Sequence, residues 1–215
     1  MLKPLLKKAI SLLAMMPLLG ACSMFEPKHK VIEYDEEVKL HNGGMIWVHI
    51  KRHYVLVGGA LGDPGAFKKG YAPKEVEISW DTGFPNVGRK SLSFRNVTSI
   101  DKIQNKWFVF GGVIDGNNIK QSEYCKKHGL VTGKTKSGCL LGVNYQGEFF
   151  KPEINDLFEM KPNIFYPVQV KDWGEVPDSL DGTMLTWIDK INLQNFQPIE
   201  YRFVTNNPYT KEQFQ

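Results

Sequence analysis

VIEYDEEVKL, residues 31–40, alternates between apolar and charged side chains. The apolar parity comprises Ile32, Tyr34, Val38 and Leu40. Successive side chains of a strand point to opposite faces, so this pattern predicts a strand with one buried face. The acidic run at 35–37 lies inside the alternation, and we interpret it as part of the solvated face.

The chain then turns back on itself. HNGG, residues 41–44, supplies the Asn and Gly residues that tolerate the positive φ of a tight turn. MIWVHIKRHYVLV, residues 45–57, resumes the strand pattern with apolar side chains at alternate positions. Residues 31–57 are therefore predicted to form a β-hairpin.

Short strand-like segments separated by Gly, Pro, Asp and Asn follow this hairpin. The further predicted strands are 76–80, 91–95, 97–103, 106–114, 138–145, 148–150, 165–170, 182–188 and 199–204. The segment 106–114 is the most apolar and is predicted to be central, whereas 58–73 and 130–137 are predicted to be polar loops. Residues 152–160 suit one or two helical turns, and 119–129 suits a short helix or a disulfide-pinned loop.

About ten short strands at this spacing indicate a mostly β fold. The predicted architecture is an antiparallel sandwich, a barrel or a strongly curved sheet with one or two short helices. Long helical periodicity is absent from the sequence, which argues against a helical bundle and against a parallel α/β fold.

The first 22 residues have the three parts of a secretory signal. Lys3, Lys7 and Lys8 form a basic start, residues 9–19 are almost wholly apolar, and Gly20 with Ala21 supplies small side chains. A membrane-spanning helix needs about 20 apolar residues, and this run is too short.

Leu19-Gly20-Ala21-Cys22 resembles the lipobox of bacterial lipoprotein precursors. The resemblance implies cleavage between Ala21 and Cys22 and acylation of Cys22. Two or more acyl chains give a stable hold on a membrane, whereas one chain holds only marginally. Ser23 in place of Asp implies, by resemblance to enteric lipoproteins, sorting to the periplasmic face of the outer membrane.

The remainder of the chain resembles small proteobacterial lipoproteins without an assigned activity. The resemblance rests on the stretch from Glu33 to Tyr54, EYDEEVKL followed by MIWVHIKRHY. It carries over no functional residues. The predicted organisation is a signal peptide at 1–21, a lipidated tether at 22–30, a single mostly β domain at 31–205 and a frayed polar tail at 206–215.

The formal net charge of +4 comes mainly from the signal peptide. Without Lys3, Lys7 and Lys8, 24 of the 27 basic side chains remain against 23 acidic ones, so the mature chain is nearly neutral. A neutral chain gives no electrostatic reason to expect a nucleic-acid partner. The predicted partners are the membrane, through Cys22, and a protein in the periplasm.

Cys125 and Cys139 remain once Cys22 carries lipid, and an even pair in an oxidising compartment favours a disulfide. Two free thiols are the main alternative. Metal binding is a weaker one, because only His128 is nearby and the spacing differs from zinc-binding patterns.

Other candidate chemistry has simpler structural explanations. His49 and His53 would share one face of a strand but lie about 13 Å apart, which favours a structural or surface role. A metal site formed across the hairpin with His41 is the weaker alternative. Cys125 with His128 is a poor nucleophile–base pair, and Asp178 and Asp181 suit a turn. The sequence therefore predicts no catalytic residue, metal ligand or cofactor.

The five tryptophans are the remaining candidates for a binding surface. They are Trp47, Trp80, Trp107, Trp173 and Trp187. Aromatic side chains on alternating strands could line a sugar-binding face, although a core position is the favoured interpretation.

Three functional hypotheses follow. The first is a non-catalytic protein-binding or scaffold module of the cell envelope. The second is an immunity lipoprotein that neutralises an antibacterial toxin delivered to the periplasm. The third is a hydrolase acting on envelope polymers, which would need acidic or His side chains converging in a cleft.

Overall fold

The computed structural model describes residues 27–57, 70–112, 119–132, 138–167, 178–196, 201–202 and 209–213. The predicted signal peptide, the lipobox with Cys22 and most of the predicted loop at 58–73 lie outside these ranges. Strands predominate in the described part, which confirms the prediction of a mostly β fold.

Twelve strands are present in the described ranges. They are β1 (His29–Lys39), β2 (Met45–Val57), β3 (Gly70–Asp81), β4 (Arg89–Phe94), β5 (Asn96–Ile103), β6 (Lys106–Gly112), β7 (Gly129–Thr132), β8 (Gly138–Val143), β9 (Phe149–Phe150), β10 (Tyr166–Pro167), β11 (Met184–Leu185) and β12 (Tyr201–Arg202). The three helices of the described part are α1 (Ile119–His128), α2 (Ile154–Glu159) and α3 (Trp187–Phe196).

The first five-stranded sheet, which we call the large sheet, has the order β11-β1-β2-β3-β4. β1 and β2 pair antiparallel from His29 opposite Val55 to Lys39 opposite Met45, so the predicted hairpin is confirmed. Gly43 has a φ of 85° in the connecting turn, a conformation that glycine adopts readily. β11 joins the other side of β1 in parallel.

The second five-stranded sheet, the small sheet, contains β5, β6, β8 and β7 in that order, with β9 also paired to β8. β6 lies between β5 and β8, as its apolar sequence predicts. β10 and β12 form a separate two-stranded ribbon.

The two five-stranded sheets share one hydrophobic core. Alternate side chains of the large sheet pack with inward side chains of β5, β6 and β8. Trp80 and Trp107 meet edge to face with ring centroids 5.8 Å apart, and the Trp107 indole N–H donates to the Thr82 carbonyl. The arrangement fits a sandwich or a curved sheet, and neither sheet closes on itself among the described strands, so the barrel alternative is wrong.

A second, smaller cluster covers the opposite face of the small sheet. Its members are Ile103, Phe108, Phe110, Leu140, Leu157 and Met160, with Tyr209 packed against them. The Tyr209 ring lies 5.0 Å from that of Phe110, and its hydroxyl is hydrogen-bonded to Thr98 and Ser99. The predicted frayed tail is therefore wrong at Tyr209, because this side chain is docked on the small sheet.

Three helices are described where one or two were predicted, and α3 is the one that the prediction missed. The segment 182–188 was predicted as a strand, but β11 ends at Leu185 and α3 begins at Trp187. Thr186 and Asp189 explain the change, since the Asp189 carboxylate accepts from the Thr186 N–H and the Thr186 hydroxyl accepts from the Asp189 N–H. This is the reciprocal capping box that starts a helix.

A further correction concerns β7, which occupies 129–132 where a polar loop was predicted from residue 130. β7 pairs with β8, from residue 129 opposite 141 to residue 132 opposite 138. This pairing supplies the hydrogen bonds of the strand, and the sequence of β7 alone does not predict it. Within the described residues, every helix is too short or too polar to cross a bilayer.

Candidate functional site

The face of the large sheet that points away from the core is lined by half-buried and exposed side chains. We call it the outer face. Its charged and aromatic members are Glu33, Asp35, Glu37 and Lys39 on β1, Trp47, His49, Lys51 and His53 on β2, Glu75, Glu77 and Asp81 on β3, and Arg89 on β4. It exists because β1, β2 and β3 alternate strictly and bury only one parity.

The middle of the outer face is an internally paired charge network. Lys51 Nζ lies 2.6 Å from Glu33 Oε1, and His49 Nδ1 lies 3.0 Å from Asp35 Oδ1. The hydrogen bond from Lys51 lowers the pKa of Glu33, and the same bond raises the pKa of Lys51. These side chains are well exposed, so their pairs contribute little stability. Their carboxylates already have cationic or His neighbours.

The end of the outer face nearest the 41–44 turn has a different character. Trp47 is 42 % exposed there and lies directly opposite Glu37 on β1. Val48 pairs with Trp80, which places Asp81 of β3 on the other side of Trp47. We call Trp47, Glu37 and Asp81 the Trp47 platform.

Each carboxylate of the Trp47 platform accepts a hydrogen bond from one backbone N–H. Glu37 Oε2 accepts from the Trp187 N–H at 3.0 Å, and Asp81 Oδ1 accepts from the Gly83 N–H at 2.9 Å. Among the described residues, neither carboxylate lies within 4.0 Å of a basic side chain. Arg89, which pairs with Asp81 in the sheet register, instead donates its Nε–H to the Ser79 hydroxyl.

Large apolar side chains are exposed on β2, β11 and α3. Met45 is 42 % exposed on β2, Met184 is 65 % exposed beside Asp35, and Ile188 is 68 % exposed in the first turn of α3. Scattered apolar residues are ordinary on a protein surface, whereas a group rimmed by polar residues is typical of an interaction site.

The buried side of the same sheet contains a polar cluster that the sequence interpretation missed. Glu36 and Lys190 are fully buried, with Lys190 Nζ 3.4 Å from Glu36 Oε1. Glu36 also accepts from the Phe165 N–H, and Arg52 donates to the Phe165 carbonyl and the Tyr34 hydroxyl. The interpretation of 35–37 as wholly solvated is therefore wrong at Glu36.

This cluster ties three parts of the chain together. Lys190 from α3 also donates to the Asn163 carbonyl, and the Asn163 side chain bonds both backbone groups of Ile100 on β5. Burial lowers the pKa of Lys190, and Glu36 opposes that shift. The cluster is enclosed and most of its hydrogen bonds are to backbone groups, although Glu36 Oε2 has no hydrogen-bond partner among the described residues. Its contacts are those of a structural connection between distant parts of the chain.

The His residues are held apart. His49 Nδ1 is hydrogen-bonded to Asp35 on the outer face. His41 follows the end of β1, and its Nδ1 lies 2.8 Å from Oδ1 of the buried Asp101 on β5. A His–Asp pair can orient a catalytic base, but no hydroxyl or thiol of the described residues is hydrogen-bonded to His41. No group of three or more His, Cys, Asp or Glu in the described ranges is placed to hold a metal ion.

The remaining predicted residues have structural positions. Cys125 and Cys139 are buried with their sulfur atoms at disulfide distance, 1.99 Å. Asp178 is bonded to Lys30, and Asp181 accepts from the Glu33 N–H, so both fasten the edge of β1.

The tryptophans divide between core and surface. Trp80 and Trp107 are core residues, Trp187 is half-buried, and Trp173 lies outside the described residues. The favoured core interpretation is wrong for Trp47. Its parity with His49 and Lys51 was the sequence signal for exposure.

Comparison of the chain with protein-family models, with curated proteins and with solved structures finds no match.

Proposed function

We propose that this chain is a non-catalytic protein-binding module, held at the cell envelope by lipid on Cys22. The observation that carries the proposal is the exposed Trp47 on the outer face, with the exposed Met45 two positions away on the same face of β2. Trp and Met are enriched in protein interfaces, and Trp is among the residues that most often dominate binding energy.

The charges of the outer face define the partner's chemistry. Six carboxylates lie on this face against three permanent cations, Lys39, Lys51 and Arg89. Opposite potentials steer association and exclude like-charged partners. The partner is therefore a protein with a net basic contact surface and an apolar centre.

The anchor rests on the lipobox resemblance at residues 19–22. β1 begins at His29, seven positions after Cys22. An extended chain spans at most about 3.6 Å per residue, so the first strand would start within about 25 Å of the membrane surface. Such a short tether favours a partner that is itself at, or close to, the membrane.

The anchor is tested with Cys22→Ser, which removes the acceptor thiol. We expect the variant to lose incorporated fatty acid and to leave the membrane fraction, while the parent chain retains both. Acylation and membrane retention of Cys22→Ser would refute the lipobox assignment.

The binding function is tested by affinity capture from envelopes of the native host under mild cross-linking, followed by identification of proteins bound to the parent chain. Trp47→Ala is the test variant, and Tyr145→Ala is the matched control because Tyr145 is an exposed aromatic residue, 63 % accessible, on the β8–β9 turn. We expect one protein to be enriched by the parent and by Tyr145→Ala but reduced at least tenfold by Trp47→Ala. Equal recovery by all three chains would contradict binding through the outer face.

A further inference from the structure

We propose that the Trp47 platform receives an arginine side chain of the partner protein, stacked on the indole and hydrogen-bonded to Glu37 and Asp81. The inference rests on the proposed binding function and names the contact at its centre. The occupant of the Trp47 platform is a guanidinium group on a basic protein surface.

The contrast between the two parts of the outer face supports this choice. In the middle, Glu33 and Asp35 are already paired with Lys51 and His49. At the Trp47 end, no basic side chain of the described residues lies within ion-pair distance of Glu37 or Asp81. Glu37 interacts electrostatically with the buried Lys190, but neither carboxylate of the Trp47 platform has an ion-pair partner among the described residues. An incoming cation therefore meets less competition at the Trp47 end than in the paired middle of the same face.

The positions of Glu37 and Asp81 beside Trp47 also support an arginine. Glu37 and Asp81 are on the two strands that flank Trp47, and neighbouring strands are about 4.8 Å apart. A planar cation centred over the indole would lie between the two strands that carry these carboxylates. Each carboxylate accepts a backbone N–H through one oxygen, and its second oxygen has no hydrogen bond from the described residues.

Arginine suits this arrangement better than lysine. Its guanidinium is planar, stacks on aromatic rings and offers five donors in a fixed geometry. A Trp face is the best aromatic partner for a cation, and bonds between charged donors and carboxylates are stronger than neutral ones. An ammonium group can make the cation contact but has no plane to stack.

The test is an NMR titration of the folded chain without its signal peptide, monitoring the Trp47 indole N–H, which is assigned with Trp47→Phe. The probes are two short acetylated peptides, one with a central arginine between glycines and the other with citrulline, a neutral side chain of the same shape. We expect the arginine peptide to shift the Trp47 signal in a saturable, salt-sensitive way, with at least fivefold weaker binding of the citrulline peptide.

Charge-neutralising variants locate the contact. Glu37→Gln with Asp81→Asn keeps the oxygens that accept from Trp187 and Gly83 but removes both charges, and it should weaken arginine-peptide binding about tenfold. Glu33→Gln is the matched control, because that carboxylate is already paired with Lys51. Urea unfolding of each variant verifies that the fold is retained.

Three outcomes overturn the inference: no arginine-dependent shift at Trp47, equal binding of the citrulline peptide, or equal loss in Glu33→Gln. These experiments distinguish a failure of the arginine contact from a failure of the proposed function. A captured partner that depends on Trp47 but no preference for arginine would refute only this contact. Arginine binding without a captured partner would leave the contact and refute the function.

Discussion

Trp47 and Trp80 are on neighbouring strands of the large sheet but on opposite faces. Trp80 is fully buried against Trp107, whereas Trp47 is exposed beside charged residues. The difference follows from strand parity, because Trp80 shares the apolar parity of Val76 and Ile78 on β3. The same residue type is therefore buried in the core at one position and exposed, at the centre of the proposed contact, at the other.

This division predicts different stability effects for the two tryptophans. Trp80→Ala should lower the free energy of unfolding by about 3–5 kcal/mol, because it leaves a large cavity between the sheets. Trp47→Ala should lower it by less than about 1 kcal/mol, because its ring packs on the exposed face. Equilibrium urea unfolding measures both, and similar losses in the two variants would contradict the assignment of faces.

Buried tyrosines should make the folded state less stable at alkaline pH. Burial raises the pKa of Tyr34 well above its ordinary value of 10.0, and burial also raises that of Tyr209. The unfolded chain can release these protons near pH 10, whereas the folded chain must keep them. Stability is therefore complete below pH 10 and falls as the pH rises above it.

The alkaline prediction is measured by urea unfolding at neutral pH and above pH 10. Tyr209→Phe is the informative variant, because it removes one of the three tyrosines, Tyr34, Tyr124 and Tyr209, whose pKa is raised. We expect its loss of stability between the two conditions to be smaller than that of the parent chain. An unchanged or larger loss would show that ionisation of Tyr209 does not limit the fold.

The burial of Glu36 could not be predicted from the sequence pattern of β1. Its parity with Tyr34 and Val38 correctly places it inside, but its charge suggests the solvent. The free-energy cost of burying the Glu36 carboxylate is offset because Lys190, 154 residues later, supplies the opposite charge and Phe165 donates its N–H. Partners this distant in sequence cannot be recognised from the strand itself.

At the scale of elements, the hairpin of β1 and β2 was predictable because alternation and turn residues agree over 27 consecutive positions. α3 was missed because Trp187 and Ile188 continue an apparent strand pattern. Thr186 and Asp189 carried the opposite signal, a capping box, at a spacing of three. β7 had no comparable signal and depends on pairing with β8.

The Cys125–Cys139 pair connects α1 to β8 across the edge of the small sheet. Closing a loop of this size restricts the unfolded chain and is worth about 3 kcal/mol in the chain-entropy model. We therefore expect Cys125→Ser with Cys139→Ser to lower the free energy of unfolding by about that amount.

Chemical reduction of the parent chain is the control for the double serine variant. Reduction should lower the stability of the parent toward that of the variant and leave the variant unchanged. If the double variant is as stable as the parent under oxidising conditions, the pair does not contribute as predicted.

At the scale of the whole molecule, the two faces of the large sheet have separate roles. One packs against the small sheet around Trp80 and Trp107, and the other is exposed with Trp47 at one end. The exposed face could be predicted from β1 alone. The Trp47 platform could not, because Glu37, Trp47 and Asp81 come together only through the registers of three strands.

The central claim is that a protein partner contacts the outer face of the anchored molecule. The most direct measurement is photo-cross-linking in intact cells, with a photoreactive amino acid in place of Met45, which neighbours Trp47 on the exposed end of β2. The same amino acid in place of Tyr145 is the control. We predict a discrete protein adduct from position 45 that disappears in a Trp47→Ala background and is absent from position 145. Adducts of equal yield from both positions, or no adduct from position 45, would contradict the claim.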